Sequence, residues 1–156
     1  MTDFLLLLLL GVVAGVVASA VMEAYQALAA APFGQSGAGD SSTVKFADKL
    51  SVALTGAPVT QKRRERAGRL AHYATGIALG VLYVLVAPHW PPITWGFGIN
   101  YGIAAAIVLD YVVVPALALG PPAWKTPLAT HAYGLSAHIV FGAALEGARR
   151  IGALLF

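Results

Sequence analysis

The chain has no cysteine, which excludes disulfides, thiolate metal sites, iron–sulfur clusters and a cysteine nucleophile. It is also poor in charge: 11% of its 156 residues are Asp, Glu, Lys or Arg, where a soluble domain has about a quarter. Ten basic and seven acidic side chains are too few to solvate a globule this size, so a soluble enzyme is all but excluded. Phosphate-loop, nucleophile-elbow and HExxH sequences are missing, and no catalytic residue can be named. Alternating segments of about ten residues are missing too, which argues against a transmembrane barrel. What the chain has in abundance is apolar: 58% of its residues are hydrophobic.

A helix crosses a bilayer core with about 20 apolar residues. Four segments qualify, 4–31, 67–87, 93–119 and 127–154. They predict an all-α fold, a single integral membrane domain over 1–156 built as a four-helix up-down bundle. The breaks between spans have mechanisms. Pro32 and Gly34 end the first, Pro88, Pro91 and Pro92 separate the second from the third, and Gly120, Pro121 and Pro122 end the third. Ala18-Ser19-Ala20 resembles a signal-peptidase site. However, Met1-Thr2-Asp3 carries no positive side chain and the apolar run continues past the site, so the first segment is expected to be a retained span.

The long loop, 32–66, begins with a Gly/Ser-rich stretch from Gly34 to Ser42 that is flexible by composition. Thr43 to Leu54 then predicts a short amphipathic helix, with Val44, Ala47, Leu50 and Leu54 on one face and Lys45, Asp48 and Lys49 towards the other. Such a helix either lies at the membrane interface or is a solvated turn. Lys62, Arg63, Arg64, Arg66 and Arg69 follow, against only Arg149 and Arg150 on the opposite side. Positive-inside logic places this basic loop in the cytoplasm and both termini outside. The basic run can also touch anionic lipid. It lacks aromatic or base-reading partners, so no nucleic-acid role is expected.

Residues four apart share a helix face. Gly11, Gly15 and Ser19 lead to Glu23. Gly98, Gly102 and Ala106 lead to Asp110. His72 is followed by Gly76 and Gly80, and Gly134, His138 and Gly142 are followed by Glu146. Small residues at this spacing let helices approach closely in lipid, so Gly11, Gly15, Gly76, Gly80, Gly98, Gly102, Gly134 and Gly142 are expected packing positions. The ladders resemble a weak internal duplication, carboxylates ending the first and third and histidines starting the second and fourth. Glu23, His72, Asp110, His131 and His138 all fall on the long-loop side, within an axial band of about 10 Å.

Ionisable groups inside a bilayer are costly and face the interior or a partner. Carboxylate and imidazole together suit a divalent metal ion such as Zn or Mn. The same set can pass protons, and two histidines on different helices can hold a b-type haem. Structural roles stand beside each: His72 as a cap near a helix end, His131 at the interface, Glu23 and Asp110 in helix–helix hydrogen bonds, and Glu146 paired with Arg149 and Arg150 at i+3 and i+4.

The second half resembles the YagU-like inner-membrane family, the DUF1440 group and its relatives, over about residues 70–150. His72 with Gly76, Gly80 and Tyr83 carries the resemblance. So do Pro115 with Gly120-Pro121-Pro122 and Trp124, and the helix of His138, Gly142, Glu146, Arg149 and Arg150. Asp110 stands where that family tends to have a histidine. The resemblance implies a bacterial inner-membrane location and a link to acid tolerance, and no reaction. Three function classes follow: an accessory or structural subunit packing in a larger membrane assembly or homo-oligomer; a metal- or proton-handling protein using Glu23, His72, Asp110 and His138; and a haem carrier.

Overall fold

The computed structural model describes residues 2–35 and 39–154; residues 36–38, within the Gly/Ser-rich stretch expected to be flexible, lie outside them. Among the described residues there is no strand. Five helices form: α1 (Thr2–Ala29), α2 (Ser42–Thr55), α3 (Arg64–Val86), α4 (Ile99–Ala116) and α5 (Leu128–Gly152). All but α2 are long and apolar enough to cross a membrane.

Local chemistry sets the ends. The α1 helix stops three residues before Pro32. Ser41 caps α2 by accepting from the Val44 amide, and Gly56, in the left-handed region at φ 76°, closes it by donating to the Val52 carbonyl. The third span is shorter than the 93–119 expected. Pro91–Thr94 makes a 3₁₀ turn, and Gly96, Phe97 and Gly98 all have positive φ, so α4 begins only at Ile99. Apolarity alone does not reveal such a turn.

From Ile107 to Val113, α4 widens into π-helical turns, and the Val114 amide donates to the Leu109 carbonyl five residues back. Pro115 explains the widening: it has no N–H for the Tyr111 carbonyl, and its ring would press on it.

The α1 helix packs on both α3 and α5, and α4 packs on α5. Glycine makes two of these crossings possible. Between α1 and α3, a methyl group on Gly15 would lie 2.6 Å from the Gly76 carbonyl oxygen, and one on Gly80 would lie 2.7 Å from the Gly15 Cα. Between α4 and α5, a methyl on Gly102 would overlap the His138 carbonyl, and one on Gly142 would come 2.8 Å from the Gly102 amide. Gly98, at φ 82°, needs glycine twice over, because a side chain there would also strike the Gly142 carbonyl. Alanines Ala14 and Ala18, fully buried, bring α1 into the core with Ala137, Phe141 and Leu145 of α5.

The two crossings share a register. Gly80 meets Gly11 and Gly15 as Gly142 meets Gly98 and Gly102, and Gly76 meets Gly15 as His138 meets Gly102. In this register His138 occupies the place of Gly76, one turn from the place of His72. The likeness of the two crossings is thus one of backbone packing, and the two histidines do not correspond.

Gly102→Leu is expected to cost about 1–3 kcal/mol or more through overpacking at the α4–α5 crossing. Ala104→Leu, on the exposed flank of the same helix, is expected to cost less than about 0.5 kcal/mol. Unfolding in mixed detergent–SDS micelles measures both.

Candidate functional site

The α3 and α4 helices meet mainly at one end, where the Tyr83 and Tyr101 rings pack 4.8 Å apart and the Tyr101 hydroxyl donates to the Leu79 carbonyl at 2.7 Å. Towards the long loop the two helices part, and a cavity of about 780 Å³ fills the gap. Its walls come from all four spans, from α2 and from the α4–α5 connection. The α2 helix straps its mouth. Val44 packs on Gly68 of α3, Arg64 of α3 pairs with Asp48 and Asp40, and Lys49 reaches across to donate to the Leu117 carbonyl beyond α4, at 2.6 Å.

Asp110, His131, His138 and His72 line this cavity. Asp110 sits in the π-helical stretch, its Oδ2 3.5 Å from His138 Nδ1, which also donates to the Gly134 carbonyl at 2.9 Å. A methyl on Gly134 would lie 3.0 Å from that same Oδ2, so this glycine makes room for a carboxylate and not for a helix backbone. The His131 ring stacks on Tyr111, 5.2 Å between centroids, and its Nε2 donates to the Ala123 carbonyl at 3.0 Å. His72 Nε2 donates to the Ser19 carbonyl at 3.2 Å, bridging α3 to α1. A carbonyl only accepts, so each neutral ring carries its hydrogen on the bonded nitrogen and keeps a lone pair on the other.

Glu23 is drawn elsewhere. It accepts from Arg69 Nε at 2.9 Å and from the Tyr73 hydroxyl at 3.0 Å, and does not line the Asp110 cavity. Among the described residues, no three His, Asp or Glu side chains gather in a way that could hold a metal ion. The band of five expected from depth therefore divides: Asp110 and His138 make contact, His131 and His72 share their cavity, and Glu23 joins an arginine. Helix rotation decides this, and depth along the axis does not reveal it.

A second polar knot lies at the opposite end of the bundle. Glu146 is fully buried and accepts four hydrogen bonds: from the Tyr83 hydroxyl at 2.7 Å, Arg149 Nε at 2.7 Å and Nη2 at 2.9 Å, and Arg150 Nε at 2.7 Å. The pairing expected at i+3 and i+4 forms, and Tyr83 of α3 adds a third donor. The Arg150 guanidinium also lies 4.9 Å from the centre of the Phe97 ring. A buried carboxylate is tolerable only when its lone pairs are filled in this way.

Two tyrosines near span ends, Tyr101 and Tyr133, turn inward instead of standing in an interfacial aromatic belt, donating to the Leu79 and Gln26 carbonyls. Trp90, Trp95 and Trp124 are exposed, as a belt requires. The π-helical widening had one available signal, Pro115 one turn after Asp110.

A model of the family described as "Protein of unknown function (DUF1440)" matches residues 43–147. The match begins well before the stretch from 70 that carried the resemblance and takes in α2, the strap across the cavity. No curated protein and no solved structure matches.

Glu146→Gln is expected to cost about 3–5 kcal/mol, because it removes the charge that balances two arginines at a buried position. Tyr83→Phe removes one neutral donor and is expected to cost about 1 kcal/mol. Both are read from unfolding midpoints in detergent.

Proposed function

The chain belongs to the DUF1440 family and is a multi-pass membrane protein, and on that premise we propose that it binds and releases protons at the Asp110–His138 pair. The observation that supports this is an acid and an imidazole in contact at 3.5 Å within an apolar bundle, opening on a cavity that faces the long loop. Histidine changes charge near neutrality. A proton arriving through the cavity lands on the lone pair of His138 Nε2. The Asp110 carboxylate, beside Nδ1, balances the imidazolium that forms. The Gly134 carbonyl holds the ring in the tautomer that leaves Nε2 open. In this reading the cavity mouth faces the cytoplasmic side of a bacterial inner membrane, which the excess of Lys and Arg in the long loop supports. The pair then senses or buffers cytoplasmic protons.

A second reading, a packing subunit of a larger membrane assembly or a homo-oligomer, draws support from α4. One flank of that helix packs on α5, while Ile107, Val108 and Val112 stand exposed. Those side chains meet lipid or another membrane helix. A partner that co-purifies with the wild type but not with Val108→Asn would favour this reading.

Acidifying the purified protein from about pH 8 to about pH 5 is expected to bind about one proton fewer per chain in His138→Gln than in the wild type. Equal uptake, measured with a pH-stat, would remove the proposal. Orientation is testable because there is no native cysteine to interfere. Lys62→Cys should react with an impermeant maleimide only from the cytoplasmic side, and Trp90→Cys only from outside.

A further inference from the structure

The cavity is larger than a proton site needs, and its walls have a consistent chemistry. Its volume, about 780 Å³, suits a small organic molecule. Much of the wall is apolar, with Leu79, Leu109, Val113, Val114 and Phe141. Three of the lining hydroxyls spend their hydrogen within the protein. Thr75 donates to the Ala71 carbonyl, Thr126 to the Pro122 carbonyl and Tyr133 to the Gln26 carbonyl. Each lining histidine has likewise spent its N–H on a carbonyl, leaving an acceptor lone pair. Asp110 adds the carboxylate. The one Lys or Arg among the described lining residues is Lys45, on the strap at the mouth.

A pocket with greasy walls, open imidazole acceptors and one carboxylate disfavours an anion, which would face Asp110 with a single lysine, at the mouth, to balance it. It favours the opposite pattern, an apolar body bearing a positive head. The Tyr111–His131 stack beside Asp110 offers a flat ring face for such a cation. We propose that the cavity between α3 and α4 binds an amphiphilic organic cation, its charged head against Asp110 and its apolar body against Leu79, Val113 and Phe141. This goes beyond the proton reading and shares with it the cavity, Asp110 and His138. The cation enters from the loop side, past α2.

The test uses the full chain in detergent and two probes of matched size and opposite charge, tetraphenylphosphonium and tetraphenylborate, in equilibrium dialysis against empty micelles. The expected result is saturable binding of the phosphonium and none of the borate. Binding should be at least about tenfold weaker in Asp110→Asn. It should also be weakened in Leu79→Trp, which fills the apolar end and leaves the carboxylate in place. Borate binding as tight as phosphonium, or no saturable phosphonium binding, overturns the proposal on the wild type alone, whether or not a variant folds. Phosphonium binding unchanged in a folded Asp110→Asn overturns it as well. The proton reading is judged separately by the His138→Gln titration, which uses no organic ion, so the failure of one is not the failure of the other.

Discussion

In lipid, apolar surface gains little by leaving one greasy surrounding for another, so helices cohere through close van der Waals contact and through polar groups they satisfy for each other. Everything else in this bundle depends on the first of these. Gly11, Gly15, Gly76 and Gly80 bring the α1 and α3 backbones together, and Gly98, Gly102 and Gly142 do the same for α4 and α5. With both crossings locked, and α1 joined to α5 through alanines, the positions of all four spans are set. The seam left over, between α3 and α4, has no glycine crossing of its own. Two tyrosines close it at one end and nothing of comparable size closes the other, so a cavity remains.

The polar groups follow from this frame. At the closed end, Glu146 is enveloped by donors from its own helix and from Tyr83, and its charge is consumed in holding α3, α5 and the turn at Phe97 together. At the open end the ionisable groups are left less completely paired. His138 shares one nitrogen between a carbonyl and Asp110, and the π-helical turns before Pro115 set the carboxylate at that point. A bundle that satisfied every group equally would be stable and inert. Here the saturated knot ties helices together, and the less saturated one faces the cavity.

The α2 helix belongs to this arrangement more than its composition suggests. It buries none of its own residues, yet it ties α3 to the end of α4 through Val44, Asp48 and Lys49 across the mouth of the cavity. The family match, which starts at residue 43, includes it.

Much of this was legible in the chain itself. Apolar run length and the proline breaks specify four membrane helices, because both act through local backbone chemistry and the demand of lipid for internally satisfied hydrogen bonds. Small residues four apart mark the faces that approach, and the i+3 and i+4 spacing of Glu146, Arg149 and Arg150 marks their pairing, since helical geometry alone brings those positions together. Which ladder meets which, and how far each helix is rotated, is a property of two surfaces and appears in neither sequence segment. That rotation sends Glu23 to Arg69 and Asp110 to His138, although the two carboxylates sit at equivalent places in their ladders. It also separates α3 from α4, so only the tertiary structure decided that the bundle has a cavity and which acceptors line it.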